Sequence, residues 1–251
     1  MSPHDIGRTW SSPNAGQRPP GSAIDHLVLH YTGMRSEEGA RDWLCDPRSQ
    51  VSSHYVVFED GRIFQLVDES RRAWHAGRSF WRGVTDINSR SIGIEIANPG
   101  HEFGYRPFPD RQIEAVIGLC RSIFARHFVP PHQVVAHSDI APDRKEDPGE
   151  LFPWEWCAAF GIGLWVPPAP LDHETVFARG DEGGKILEFQ KILSDIGFDA
   201  PLSGIFDDRT ETIVRAFQRH WRPSCIDGRV DASTLDTLGR VAAAFDASRA
   251  A

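Results

Sequence analysis

The sequence predicts an α/β domain followed by a small all-helical one. Three observations carry this. Short runs of β-branched and apolar residues recur at 24–31, 55–67 and 91–97, bounded by turn residues. A long amphipathic stretch at 109–127 separates them from a further strand-like pair, Val134-Val135. Beyond a run of prolines near 165–172, only helical periodicity remains. The expected divisions are a flexible segment at 1–20, an α/β domain at 21–166, a linker at 167–173 and a helical domain at 174–245.

The N-terminal twenty residues are polar and rich in Ser, Pro and Gly, without the apolar core of a secretion signal. Ile24–Tyr31 is the first strand, and His30 sits at its end, either a satisfied half-buried histidine or a ligand. Ser36 caps a short helix running to Leu44, with Glu37 and Glu38 in its first turn. Asp60-Gly61 is the turn of a hairpin. Tyr55, near the start of that hairpin, is either a cleft residue or a core ring. Residues 73–83 are aromatic yet aperiodic, so they pack over the sheet or line a groove. Within them, His75 stands behind a ligand or against a substrate, and Trp74 is a packing residue with substrate contact as the alternative. Asn98 is a further candidate substrate contact.

Ser91–Ala97 has the pattern of a central strand with Glu95 set between isoleucines. Burying that carboxylate without a partner would cost several kcal/mol. Either a cation pairs it or it faces a functional pocket, and the pocket is the favoured reading. Pro109 opens the best helix, whose apolar face is Ile113, Val116, Leu119, Cys120, Ile123 and Phe124; Pro130-Pro131 closes it. A polar loop at 137–149 follows, then a short helix at 154–160. The helical domain contributes helices at 184–196, 210–221 and 233–245.

Composition narrows the function. A formal charge of -8 and the lack of a basic stripe argue against nucleic acid as partner. No apolar run has transmembrane length. The four cysteines, at 45, 120, 157 and 225, lack metal spacing and do not suggest a disulfide framework. Eight tryptophans, several beside Arg, His or Gly, suit a sugar- or peptide-binding cleft.

Chemistry concentrates in the polar loop. His137 and Asp147 lie within it, and His30 ends another strand, so the three can close a His-His-Asp zinc site with one position open for water. No His-Glu-x-x-His helix is present, which argues against the commonest metalloprotease plan. Glu95 would serve as general base and acid, and Lys145 would face the developing oxyanion.

The chain resembles the type 2 N-acetylmuramoyl-L-alanine amidases, which share a fold with peptidoglycan recognition proteins. The resemblance rests on His-Tyr-Thr at 30–32, Ser-His-Tyr-Val-Val at 53–57, Ala-Trp-His-Ala-Gly at 73–77, Ser-Ile-Gly-Ile-Glu-Ile at 91–96 and His-Ser-Asp-Ile-Ala-Pro at 137–142, then Arg-Lys-Glu-Asp-Pro-Gly at 144–149. It implies a central mixed β-sheet flanked by helices. It also implies one zinc ion on His30, His137 and Asp147, catalysis by Glu95 and Lys145, and hydrolysis of the bond between muramic acid and L-alanine. Phe189-Gln190, Gly204-Ile205-Phe206-Asp207, Ala216-Phe217-Gln218 and Asp227-Gly228 resemble the three-helix peptidoglycan-binding domain of wall hydrolases. Peptidoglycan or its muropeptide fragments, with a normal or 1,6-anhydro sugar, are therefore the expected partners of a monomeric enzyme. The missing leader points to the cytoplasm; a leader removed, or another export route, would place it in the periplasm or at the outer membrane. Two alternatives stand beside this reading: a peptidoglycan-binding protein without catalysis, and a zinc amidohydrolase or peptidase of other small amides.

Overall fold

Alternating side-chain direction along the strands decides what each face of the sheet can do. The computed structural model describes residues 6–7, 10–172 and 174–250. Its elements, in chain order, are β1 (Ile6–Gly7), β2 (Ala15–Gln17), β3 (His26–Tyr31), α1 (Glu37–Leu44), β4 (Tyr55–Val57), β5 (Ile63–Gln65), β6 (Arg71–Ala73), α2 (Ile87–Arg90), β7 (Ser91–Ile96), α3 (Gly100–Phe103), α4 (Asp110–Phe124), β8 (Val134–Ala136), α5 (His137–Ile140) and α6 (Trp154–Ala159). The C-terminal part adds β9 (Thr175–Phe177), α7 (Gly184–Ile196), α8 (Asp208–Trp221), β10 (Val230–Asp231) and α9 (Ala232–Ala250). Among the described residues, no helix is long and apolar enough to cross a membrane.

Six strands form the central sheet in the order β1-β5-β4-β7-β3-β8. The sheet is mixed: β4 and β5 are the antiparallel hairpin, and the other pairings are parallel. β3 and β7 are adjacent interior strands, each paired on both sides, as their largely apolar runs require.

One face carries Leu27, Leu29, Tyr55, Val57, Ile92, Ile94, Ile96, Val134 and Ala136, packed with the apolar stripe of α4. The opposite face is divided into three. At one side, Val56 and Phe58 pack with Leu44 of α1. At the other, Val28 and Val135 share a core with Trp81, Ile140 and the helices α7, α8 and α9. Between them lie His30, Gly93 and Glu95, which the register sets side by side: Val28 opposite Gly93, and His30 opposite Glu95.

Two expectations need correction. The segment 1–20 was expected to be flexible; its residues 1–5, 8 and 9 lie outside the described ones, but the rest is bound into the fold. β1 pairs with β5, and β2 with β6. The polar side chains of this segment satisfy loop carbonyls: Asn14 donates to Asp46 and Val51, and Arg18 to Glu69, Asn88, Ser89 and Ser91. Polarity there reflects hydrogen bonding to backbone groups, not solvation. Tyr55 is the second correction. It is 2% exposed on the α4 face, opposite Ile94, and its hydroxyl donates to Glu69 at 2.7 Å. The four cysteines are free, and Cys120 is buried on the apolar face of α4.

Tyr55→Phe should lower stability by about 1 kcal/mol in urea unfolding, the net worth of one hydrogen bond, and leave KM for substrate unchanged. A raised KM would return Tyr55 to the cleft.

Candidate active site and metal centre

β3 delivers His30, and α5 opens on His137 immediately after β8. Asp147 follows ten residues later and is brought back by the loop, which closes where the Ser138 amide donates to the Asp147 carbonyl at 3.0 Å. His30 Nδ1 and His137 Nδ1 are 2.9 Å apart, and each is 3.0 Å from Asp147 Oδ2. All three residues are buried.

This donor set fits a metal ion. Two imidazole nitrogens and a carboxylate oxygen converge on one point, where one shared proton cannot satisfy three lone-pair-bearing atoms. A tetrahedral zinc with bonds of about 2.0–2.1 Å has ligand edges of about 3.3 Å, close to the observed triangle. The far side of each ring is also committed. His137 Nε2 donates to the Ala76 carbonyl at 3.2 Å, and His30 Nε2 lies 3.0 Å from His75 Nδ1. With Nε2 protonated on both, each Nδ1 presents a free lone pair to the centre.

Electrostatics agrees with that state. Burial, followed by the nearby His137, pushes His30 down to about 4, against the pull of Asp147. His30 is therefore neutral near pH 7, as a ligand must be. Burial alone would raise the Asp147 carboxyl, but the charge and hydrogen bonds of His137 and His30 hold it well below the usual range.

Glu95 is the one residue of β7 that is not fully buried. Its Oε2 is shut off from solvent and has no hydrogen-bond partner among the described residues. Burial, then the Asp147 charge, push its carboxyl well above the ordinary value, with Lys145 opposing. Glu95, Lys145, His137 and Asp147 all line one cleft of about 410 Å3. Trp43, Val51 and Trp74 form an apolar wall of the same cleft, in which Trp43 and Val51 stay exposed.

His75 also lines the cleft, but its contacts run backwards into the sheet. Its Nδ1 meets His30, and its Nε2 lies 3.0 Å from Ser91 Oγ. The ring lies over Gly93, where a Cβ would stand 2.5 Å from the His75 Cγ. Gly93 is thus required for side-chain access rather than for a turn. Burial, then the neighbouring His30, hold His75 well below the usual histidine range.

Asn98, expected as a substrate contact, is 3% exposed and outside the cleft lining. Its amide donates to the Arg106 carbonyl and accepts from the Gly100 amide, which makes it a clasp of the loop after β7. Sequence reasoning passed over Arg144, which donates to the Ala76 and Arg78 carbonyls and so ties the metal loop to the aromatic segment. It sits in a run of charges that reads as solvated surface. Trp43 was passed over because it belongs to the exposed face of an amphipathic helix.

Comparisons with known proteins show the family. The family model for N-acetylmuramoyl-L-alanine amidase matches residues 20–150. The chain belongs to the N-acetylmuramoyl-L-alanine amidase family. A second model, for a peptidoglycan binding domain, matches residues 182–238. The amidase AmiD of Escherichia coli (strain K12) is 40% identical over 223 residues, a match covering 84% of this chain and 79% of that protein. The structure of E. coli AmiD in complex with the substrate anhydro-N-acetylmuramic acid-L-Ala-D-gamma-Glu-L-Lys superposes with a TM-score of 0.72 at 36% identity, covering 91% of each chain. The structure of AmpDh3 from Pseudomonas aeruginosa with anhydromuramic pentapeptide gives 0.70 at 29% identity, covering 88% of this chain and 92% of that one. The amidase-family chain described here thus has the class, fold and enzymatic activity that the sequence motifs implied.

Gly93→Ala should cost about 1–3 kcal/mol in urea unfolding through overpacking and weaken metal binding by displacing His75 from His30. Chelator competition measures the second effect. A variant with unchanged metal affinity would show that His75 does not orient His30.

Proposed function

We propose that the protein is a zinc amidase that cleaves the amide between the lactyl group of muramic acid and L-alanine, with one zinc ion held by His30, His137 and Asp147. The observation that carries this is the buried triangle of donor atoms with Glu95 on the adjacent strand, opposite His30 in register. When bound, zinc polarises the scissile carbonyl and lowers the pKa of water from about 15.7 toward 7.

The chain's own residues supply the rest. The Glu95 carboxylate accepts a proton from the attacking water as the water oxygen adds to the lactyl carbonyl carbon. The same carboxyl then gives that proton to the alanine nitrogen as the C–N bond breaks. Its Oε2, without a partner among the described residues, leaves it free to do both. Lys145 brings a fixed positive charge to the oxygen on which negative charge develops. Trp74 and Trp43 offer an apolar wall for the sugar or the stem peptide. Relatives whose structures hold anhydromuramyl peptides support 1,6-anhydro muropeptides as substrates here.

Two alternatives lose ground. A binding protein without catalysis has no use for a free, raised carboxyl beside a complete donor triangle. An amidase of unrelated small amides has no use for a peptidoglycan-binding domain.

Glu95→Gln should keep its zinc and lose about 10²- to 10⁴-fold in kcat, the usual worth of general acid–base catalysis. Mass spectrometry of anhydro and normal muropeptides after digestion should show free stem peptide and free sugar. Peptide-to-peptide or sugar-to-sugar cleavage, or near-normal turnover by Glu95→Gln, would contradict the assignment.

A further inference from the structure

A domain that only tethers an enzyme to its substrate needs a linker and little contact. The helical part of this chain is different, because it holds the loop that carries the metal ligands. Two consecutive residues near the end of α8 make the connection. His220 Nδ1 donates to Asp139 Oδ2 at 2.8 Å, with side chains 2% and 0% exposed. The His220 ring is stacked between Trp154 of α6, at 3.9 Å and 20°, and Trp221, at 3.7 Å and 3°. The same Asp139 oxygen accepts from the Ala136 amide at 2.8 Å, which caps α5, the turn opening on His137.

Arg219 acts on the other end of the loop. It pairs with Glu146 at 2.9 Å and Glu150 at 3.8 Å, and its side chain is 11% exposed. Glu146 stands between Lys145 and Asp147 in sequence. Glu150 in turn holds His101 on the cleft rim at 3.1 Å. One turn of a helix therefore fixes both ends of the segment 137–150. The shared core of Val28, Val135 and Ile140 with Ile213 and Phe217 seats that helix on the sheet face that bears the site.

We propose that Arg219 and His220 are positioning residues of the active site, so that the helical module sets the geometry of His137, Lys145 and Asp147. This rests on the amidase reading for its catalytic consequence, but not for its effect on metal binding. Without His220, the buried Asp139 carboxylate keeps the Ala136 amide as donor and loses the imidazole N–H. It must rotate or admit water, and either shifts the turn that carries His137. Without Arg219, Glu146 and Glu150 lose the guanidinium they share, and Glu146, next to Lys145, is left with its longer 3.7 Å contact to His101.

The test uses the full chain with Arg219→Ala, Arg219→Lys, His220→Ala and His220→Asn, the last retaining a donor near the Nδ1 position. Phe189→Leu, in the module's core against Phe177 and Phe206, is the control. Zinc affinity is read by competition with a chromogenic chelator, kcat and KM with a muropeptide, and Tm by calorimetry. Each alanine variant should weaken zinc binding and lower kcat by about ten-fold or more, the scale of outer-shell changes, with little change in KM. His220→Asn and Arg219→Lys should recover most of the loss, and Phe189→Leu should lower Tm alone. Zinc affinity and kcat within about two-fold of the parent in both alanine variants would overturn the proposal. Should His220→Ala fail to fold, Arg219→Ala, on a partly exposed pair, decides. Parent protein that releases no stem peptide would sink the amidase reading, while the zinc affinities would still decide the coupling.

Discussion

The parallel pairing of β3 with β7 is the constraint on which the rest depends. Its register sets His30 directly beside Glu95 and Val28 beside Gly93. Because side chains alternate, the same register commits Leu27, Leu29, Ile92, Ile94 and Ile96 to the core under α4. A one-residue slip of β3 would carry His30 into that core and turn out Leu27 and Leu29, and a slip of β7 would carry Glu95 in and turn out Ile92, Ile94 and Ile96. The hydrophobic cost of the slip therefore protects the chemistry: packing on one face fixes geometry on the other.

On the reactive face, the same closeness creates an electrostatic demand. His30, His137 and Asp147 crowd together with their lone pairs converging, and Glu95 is driven toward its protonated form partly by Asp147. A divalent cation answers both: it satisfies the three donors and offsets the charge that disfavours ionised Glu95. The support behind these groups is deep. His75 backs His30, the Ala76 carbonyl fixes His137, and Arg144 binds that same carbonyl. The aromatic segment at 73–83 thus works as the rear wall of the metal site.

Much of this was legible in the sequence, and the failures have a common cause. The strands, the hairpin at Asp60-Gly61, the long helix and the three C-terminal helices are strongly periodic and appear where periodicity puts them. Glu95 was legible as a charge where a buried strand should have none. Tyr55 was not, because direction in a strand depends on register with a distant partner; its neighbour His54 is the residue on the reactive face, accepting from the Gly93 amide. Asn98 and Arg144 failed for a related reason. Both spend their side chains on backbone carbonyls and amides, which leave no mark in a sequence. His220 and Arg219 read as the polar end of a helix, and only the fold shows what they meet.

The central claim is that two histidines and one aspartate brought together by this register hold zinc next to Glu95. X-ray absorption at the zinc edge of the purified, zinc-loaded protein tests it most directly. The account predicts two imidazole ligands, with the remaining scatterers oxygen at about 2.0–2.2 Å. A sulfur scatterer at about 2.3 Å, or a shell with fewer than two imidazoles, would contradict it.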